Sequence, residues 1–532
     1  MAKQKFNEKL LLDEGIKERF EQLDGDRTTV LDEARMCSEL TLPYLLPPDE
    51  HKETDVLDNP YQNLGARLVN NLANKIAFTM LPPNQPFFRL FPNEATEAML
   101  DGEQSEEKKT LVNQIAVKIE TRAQKLIAKQ FLSVPVIEAF KSLVVTGNAL
   151  LVKIEPKDPL DKGLKSYRLD NYVVNRDYRG NPLEIITRET VNPHTLDEDV
   201  LDVLELDLSK DAEDVILYTR AVLRQKKWYE YQAINDTVLE DTLTSYDAED
   251  FPYMPLRWTA VNGHDYGVGH CSQHKSDLIT LEASYQLLLE HASVAGRTVF
   301  GIKPGSQIDL YEFNNAENGK AIMADFEHDL TVARVEKYND LKAVYDVYQD
   351  TSRRLEQAFL SANSVTREAE RVTAMEIRYL ANDLEQSHGG VYSVLSQEFQ
   401  VPMSRLILKE LERTSEVDLE GFEFVPVTGM EALGRNNDAD KLRQFSQVLQ
   451  ETPVLQQSIA QYFNVPNYIE DLTVAYSLPS GRYIKTPEQI AQEQQAMQEQ
   501  QLAMQSLGSM AESAGAGIGT QLGGQGDGQQ NG

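Results

Sequence analysis

The stretch that decides the architecture runs from Ser276 to Leu360. Residues 276–297 read SDLITLEASYQLLLEHASVAGR, and residues 339–360 read NDLKAVYDVYQDTSRRLEQAFL. In the first segment Leu278, Leu281, Tyr285, Leu288, Ala292 and Ala295 recur at alternating steps of three and four. That spacing lines one apolar seam along a helix. In the second, Leu341, Val344, Tyr348, Leu355 and Phe359 form a comparable seam. At the rise of an α-helix each rod is about 33 Å long. Between the rods, Thr298–Lys303 reads as a strand ended by Pro304-Gly305. A short helical piece follows at 308–313, then strands at Ala321–Met323 and Thr331–Val335. Two rods of similar length that bracket a small αβ unit are expected to run antiparallel and carry that unit at their tip.

Working outward, a polar segment from Ser361 to Arg371 interrupts the helical pattern and carries Asn363, Arg367, Glu368, Glu370 and Arg371. A loop between long helices can present a binding surface on a rigid scaffold. Arg367 and Arg371 can reach phosphates there, or pair with neighbouring carboxylates. The longest helical signal, Val372–Thr414, comes next. Gly389-Gly390 and Pro402 are the expected points of bending. A strand at Phe422–Val427, helices near 430–450 and 454–463, and a Gln-rich helix at 487–507 complete the C-terminal part. Residues 508–532 have the Gly, Gln, Ser and Ala composition of a disordered tail.

Upstream, residues 6–40 read as one helix and Leu42–Asp58, with Pro43, Pro47 and Pro48, as extended loop. A helix from near Gln62 carries Leu64, Leu68, Leu72, Ile76 and Met80 on one stripe and stops at Pro82-Pro83. Pro86–Pro92 reads as a short buried strand. Residues 103–132 and 134–147 read as helices, the second capped by Gly147. Ala149–Ile154, Tyr167–Thr190 and Val215–Trp228 carry strand patterns, with a turn at Arg179-Gly180-Asn181.

The chain has 532 residues, with 52 Lys and Arg against 84 Asp and Glu, a net charge of −32. That balance argues against tight nucleic-acid binding and against attraction to an anionic membrane. It is compatible with DNA passing through without being held. Cys37 and Cys271 alone cannot build a disulfide framework, so a reducing compartment is expected. No secretory signal or membrane span is visible. No phosphate-cradling loop occurs, since Gly319-Lys320 is followed by Ala321. His264, His270, Cys271 and His274 have ligand chemistry but match no zinc module, so no metal or cofactor is expected. Nine carboxylates between Asp197 and Asp214 read as a solvated run.

Several pieces resemble one family. These are Gly65-Ala66-Arg67-Leu68-Val69-Asn70-Asn71-Leu72-Ala73, Leu143-Val144-Val145-Thr146-Gly147-Asn148-Ala149-Leu150-Leu151 and Tyr172-Val173-Val174-Asn175-Arg176-Asp177. The fullest is Arg371-Val372-Thr373-Ala374-Met375-Glu376-Ile377-Arg378-Tyr379, continuing to Gly389-Gly390-Val391-Tyr392-Ser393-Val394-Leu395-Ser396-Gln397-Glu398. In order and spacing they resemble the portal proteins, or head-to-tail connectors, of T7-like short-tailed bacteriophages, over roughly residues 30–500.

The resemblance implies a mixed α+β, predominantly helical portal-type fold assembled as a ring, usually of twelve copies, at one capsid vertex of the virion. It implies a wing at 1–275, stem helices at 276–297 and 339–360, a clip at 298–338 and a tunnel loop at 361–371. The long kinked wing helix and strand would be 372–429, the crown 430–507 and the tail 508–532. The function implied is a non-enzymatic conduit for double-stranded DNA in packaging and ejection. Implied partners are copies of itself, the DNA, the terminase large subunit, the major capsid and scaffolding proteins, a tail adaptor and internal core proteins. Asn363, Arg367 and Arg371 would line the tunnel loop, with Lys342, Arg353 and Arg354 as secondary channel residues. The alternatives are a metal-dependent nuclease or hydrolase using acidic clusters, and another ring or coiled-coil head scaffold.

Overall fold

The computed structural model describes residues 15–360 apart from 50, 53, 83–85, 101–104, 156–162, 197–213, 235–236, 296–298, 323–324, 326 and 334–337. It further describes residues 390–415, 419, 421–426 and six residues between 442 and 469. The chain falls into two compact units, Met1–Ala432 and Leu433–Gly532. In the second, the Tyr468 hydroxyl donates to the Leu442 carbonyl at 3.2 Å.

The N-terminal segment is two helices, α1 (Ile16–Asp26) and α2 (Thr28–Glu39), rather than the one expected. The chain turns at Arg27, whose φ of −110° and ψ of 13° leave the helix. Its buried guanidinium explains the turn. Nη1 donates to the Leu169 carbonyl at 2.7 Å, and Nε and Nη2 both donate to Asp24 Oδ1. A buried cation needs such partners, and helix continuity yields to them. Residues 6–14 lie outside the described part. Among its described residues, the Pro-rich stretch that follows holds one regular element, a 3₁₀ turn at Pro43–Leu45.

Helix α3 (Leu64–Met80) follows the expected stripe and stops before Pro82. Strand β1 (Phe88–Pro92) pairs antiparallel with β12 (Phe422–Pro426). Helices α4 (Glu94–Leu100), α5 (Ser105–Lys129) and α6 (Ser133–Thr146) come next. Gly147 caps α6 at φ +81°, its N–H donating to the Leu143 carbonyl at 2.9 Å. Glycine is required there twice over. The left-handed φ suits it, and a Cβ would meet the Gly267 oxygen at 2.7 Å. Asn148 fixes the same contact: its Oδ1 accepts from the Gly267 N–H at 2.7 Å and its Nδ2 donates to the Gly267 carbonyl at 3.0 Å.

Strands β2 (Asn148–Lys153), β3 (Leu164–Tyr167) and β9 (Tyr253–Arg257) form a sheet in the order β3-β2-β9. Between β3 and β9 runs an antiparallel meander of β4 (Tyr172–Arg176), β5 (Pro182–Val191), β6 (Val215–Arg224), β7 (Lys227–Ile234) and β8 (Thr237–Asp247). The run 215–228, read as one strand, is β6, a two-residue turn and the start of β7. The two-residue period puts successive residues on opposite faces. Val174, Ile185, Ala221 and Trp228 enter one core cluster, while Val173, Ile186, Val222 and Tyr229 pack on the other side under Ile16 and Phe20 of α1.

The largest core joins α3, α5 and α6 to residues 391–411. Leu72, Phe140, Leu143 and Phe399 are fully buried in it, each contributing about 1.5–3 kcal/mol of transfer free energy. The helix that follows residue 389 is continuous from Gly390 to Ser415, but its pitch changes once. Ser396–Gln400 is a π-turn leading into α11 (Val401–Ser415), and the Val401 N–H donates to the Ser396 carbonyl five residues back. Pro402 lacks an N–H and its ring collides with a regular i−4 carbonyl. The helix absorbs this by widening instead of breaking. Gly390 is helical with open space where a Cβ would lie; Gly389 is outside the described residues.

Candidate functional site

Loop 267–269 leads into the short helix α7 (His270–Gln273) and then the first rod, α8 (Lys275–Ala295). Strand β10 (Val299–Ile302), helix α9 (Leu310–Asn314) and β11 (Leu330–Ala333) follow, and the second rod is α10 (Tyr338–Ala358). No strand forms at Ala321-Ile322, where the sequence suggested one. The rods run antiparallel: Asp277 meets Arg354 at 3.1 Å near one end, and the Tyr285 and Tyr348 rings lie 5.5 Å apart further along. Strands β10 and β11 pair antiparallel at the far end. Phe300 meets Phe313 edge-on at 5.2 Å, Ile308 is buried, and Asp309 caps α9.

Burial falls along the rods from root to tip. Leu278, Leu281, Leu355 and Phe359 are fully buried in the main core. Tyr285, Leu288, Leu341, Val344 and Tyr348 are half-buried, and Ala292 is exposed. Ile279, Leu287, Leu289, Val294, Tyr345 and Val347 are exposed apolar residues on the rods. Single exposed apolar residues are ordinary, but six on one helix pair leave apolar area that water solvates poorly.

Polar contacts fix the root. Glu282 accepts from the Tyr61 and Gln62 N–H groups at 2.8 and 3.3 Å. Lys275 pairs with Glu33 and Arg67 with Glu356. At the end of the second rod, Lys75 Nζ donates to the Leu360 carbonyl at 2.6 Å, and His270 Nε2 lies 3.2 Å from the Ala358 carbonyl. Phe359 packs edge-on against His270, with ring centroids 4.4 Å apart. Leu360 itself has φ +55°, a left-handed conformation for a bulky residue.

Within the His/Cys group, His264 is exposed and the other three pack among these contacts. His270 and Cys271 are buried, His270 among Trp258, His274 and Phe359, and Cys271 in the main core. Burial pushes the thiols of Cys37 and Cys271 up and the His274 imidazole down. They are packing groups at the foot of the first rod. Among the described residues no group of three or more His, Cys, Asp or Glu is arranged to hold a metal ion. The acidic run 197–213 lies outside the described residues, as do Asn363, Arg367 and Arg371.

The remaining candidates sit on the second rod. Lys342 and Arg353 are exposed and make no ion pair among the described residues. Arg354 pairs with Asp277 and, at 3.7 Å, with Asp350. The periodicity of one rod did not signal this pairing, because it depends on the register of the two.

One buried network was not anticipated. Glu398, in the π-turn, accepts from Arg257 Nε at 2.9 Å and Nη2 at 2.6 Å, and from the Arg257 N–H at 2.8 Å. Arg176 lies 3.7 Å away and donates to the carbonyls of Gly180, Pro255 and Asp265. The long helix is thereby tied to both sheets. No helix among the described residues is long and apolar enough to cross a membrane.

The sequence that builds these elements matches a known family. The family described as bacteriophage head to tail connecting protein matches residues 13–484. The portal protein of Enterobacteria phage T3 is 32% identical over 437 residues, covering 81% of each chain. That of Enterobacteria phage SP6 is 30% identical over 501 residues, covering 93% of this chain and 94% of the relative. Among solved structures, a chain of the virion of a native gene transfer agent particle aligns at 11% identity and a TM-score of 0.35, covering 78% of this chain and 90% of that one. The match across most of the length places this chain in the bacteriophage head-to-tail connecting protein family.

Proposed function

We propose that the chain is a portal subunit: copies of it form a ring at one capsid vertex, through which double-stranded DNA enters at packaging and leaves at ejection. The observation that carries this reading is the antiparallel rod pair. It is rooted in the core by Leu278, Leu281, Leu355 and Phe359 and leaves apolar residues exposed along its length. Side-by-side packing of such pairs from neighbouring copies buries those residues and closes a wall around an axis.

In this reading residues 276–297 and 339–360 are the stem, 298–338 the clip and 361–371 the tunnel loop. The wing is 1–275 with 372–429, and the crown is 430–507. The ring has twelve copies. The exposed β10–β11 unit is the docking surface for the terminase large subunit and then for a tail adaptor, and the wing and crown meet capsid, scaffolding and internal core proteins. The site of action is the virion. The wall acts passively: a chain of net charge −32 repels the DNA backbone, and Arg367, Arg371 and Asn363, with Lys342, Arg353 and Arg354, touch phosphates only locally.

Negative-stain microscopy of the purified protein tests the reading. Rings with an open central channel wide enough for duplex DNA are expected; monomers or filaments at working concentration would overturn it. Arg367→Ala is expected to leave the rings intact and to change DNA retention in packaging assays.

A further inference from the structure

Helix α5 has two unlike faces. Ala116, Ile119 and Ala123 are buried in the main core. Glu120, also buried, accepts from the Leu90 N–H at 3.1 Å and ties the helix to β1. The opposite face carries Lys118, Arg122, Lys125 and Lys129, all exposed. Their steps of four, three and four set them in one row along the helix. The row is about 16 Å long at the α-helical rise. Thr121 and Ala128, exposed beside it, are short and leave the cations standing clear.

No carboxylate shares the row. Glu120 is the one acidic residue between Leu111 and Lys129, and it is turned into the core. Glu106 and Glu107 stand at the start of the helix, at least eleven positions before Lys118. Exposed Glu94, Glu412 and Glu423 lie on α4, α11 and β12. The four cations make no ion pair with these or with any other described residue.

Helix stabilisation does not account for the row. Cations favour the negative end of a helix dipole only within its last turn, which leaves Lys118 and Arg122 unexplained. Pairing within the helix needs a carboxylate three or four positions away, and none of the four has one. On a chain of net charge −32, four uncompensated cations in line reverse the general character of the surface.

We infer that this face of α5 is a surface contact for the phosphate backbone of double-stranded DNA, separate from the channel candidates on the rods and tunnel loop. Lys and Arg neutralise phosphates without reading bases, and a cationic row on one helix face is the footprint of such a contact. An acidic protein face fits less well, because three of the four are Lys, which protein interfaces disfavour relative to Arg and aromatic residues. Repulsion from the rest of the acidic chain makes the contact weak and sensitive to salt. The inference rests on the portal reading for the presence of DNA.

Binding of the full-length protein to a fluorescent closed DNA minicircle tests it, since a closed circle has no end to thread through a ring. Wild type is compared with Lys118→Gln/Arg122→Gln/Lys125→Gln/Lys129→Gln. The control, Lys52→Gln/Arg179→Gln/Lys226→Gln/Lys227→Gln, loses the same charge elsewhere. Each lost phosphate contact lowers the slope of log affinity against log salt by about 0.9. The row variant is therefore expected to bind at least tenfold more weakly at about 50 mM NaCl, with a slope shallower by about 3–4. Arg122→Gln/Lys125→Gln should lose about half of that slope, and serves if the fourfold variant misfolds. No binding by wild type, an equal loss in the control, or full binding by the row variant would each overturn the contact. Full binding combined with failure to enter capsids would assign the row to an acidic protein instead. Rings in negative stain without binding to the circle would refute this contact and leave the portal reading standing. Row-dependent binding without rings would do the reverse.

Discussion

Glu184 and Glu230 lie on opposite faces of the five-stranded sheet, and their surroundings push them in opposite directions. Burial alone would raise Glu184, but hydrogen bonds and charge from Arg19 and Arg220 outweigh it and hold the carboxyl below the usual carboxylate range. Its contribution to stability is present above the unfolded pKa of about 4.3 and is lost as pH falls through the folded value. Glu184→Gln is expected to cost about 3 kcal/mol at pH 7, since it removes the carboxylate that pairs with both buried Arg220 and Arg19. Urea unfolding at pH 7 and pH 3.5 should show that cost shrinking in acid. Glu230 is raised, chiefly by burial, with hydrogen bonds to Tyr253 and Tyr246 opposing. A raised carboxyl costs stability as pH rises from about 4.3 through the folded value. Wild type should therefore lose stability over that window relative to Glu230→Gln, as thermal melts between pH 4.5 and 7 would show. Neither effect is legible in sequence. Glu184 and Arg220 are 36 positions apart, and only the β5–β6 register brings them together.

Among elements, the rods were the most legible, because an apolar seam repeated over 21 residues is a strong periodic signal. The seam does not distinguish root from tip: only Leu278, Leu281, Leu355 and Phe359 are fully buried, and the rest of its described residues are half-buried or exposed. Phe359→Ala is expected to destabilise the chain by about 3–5 kcal/mol. Hydrogen exchange should show the loss first in residues 355–360 and not in the β10–β11 unit. Strand β9 was not read at all. Its YMPLR sequence contains Pro255, which argues against a central strand. It is in fact the edge of its sheet, pairing only with β2, where a missing N–H is tolerated. Pro402 was legible as an interruption but not as a π-turn. The choice between kink and widened turn depends on tertiary partners such as Gln400, which donates to the Met80 carbonyl at 3.0 Å.

For the whole molecule, charge governs how copies approach. Chains of net charge −32 repel one another over a Debye length of about 30 Å at 0.01 M salt and about 8 Å at 0.15 M. The ring population is therefore expected to rise between 10 and 150 mM NaCl, measured by mass photometry at fixed protein concentration. A fall in rings over that range would show that attraction between charged faces outweighs repulsion between whole chains. The pairing of β1 with β12 sets a different limit, in time. About 330 residues separate Pro92 from Phe422, so a ribosome working at 5–20 residues per second needs about 15–65 s to supply the partner strand. Strand β1 must wait that long for its partner strand. A nascent chain therefore cannot complete its main core until nearly all of the first unit has been synthesised, and a message truncated before codon 422 yields a subunit with an open sheet edge rather than a smaller working part.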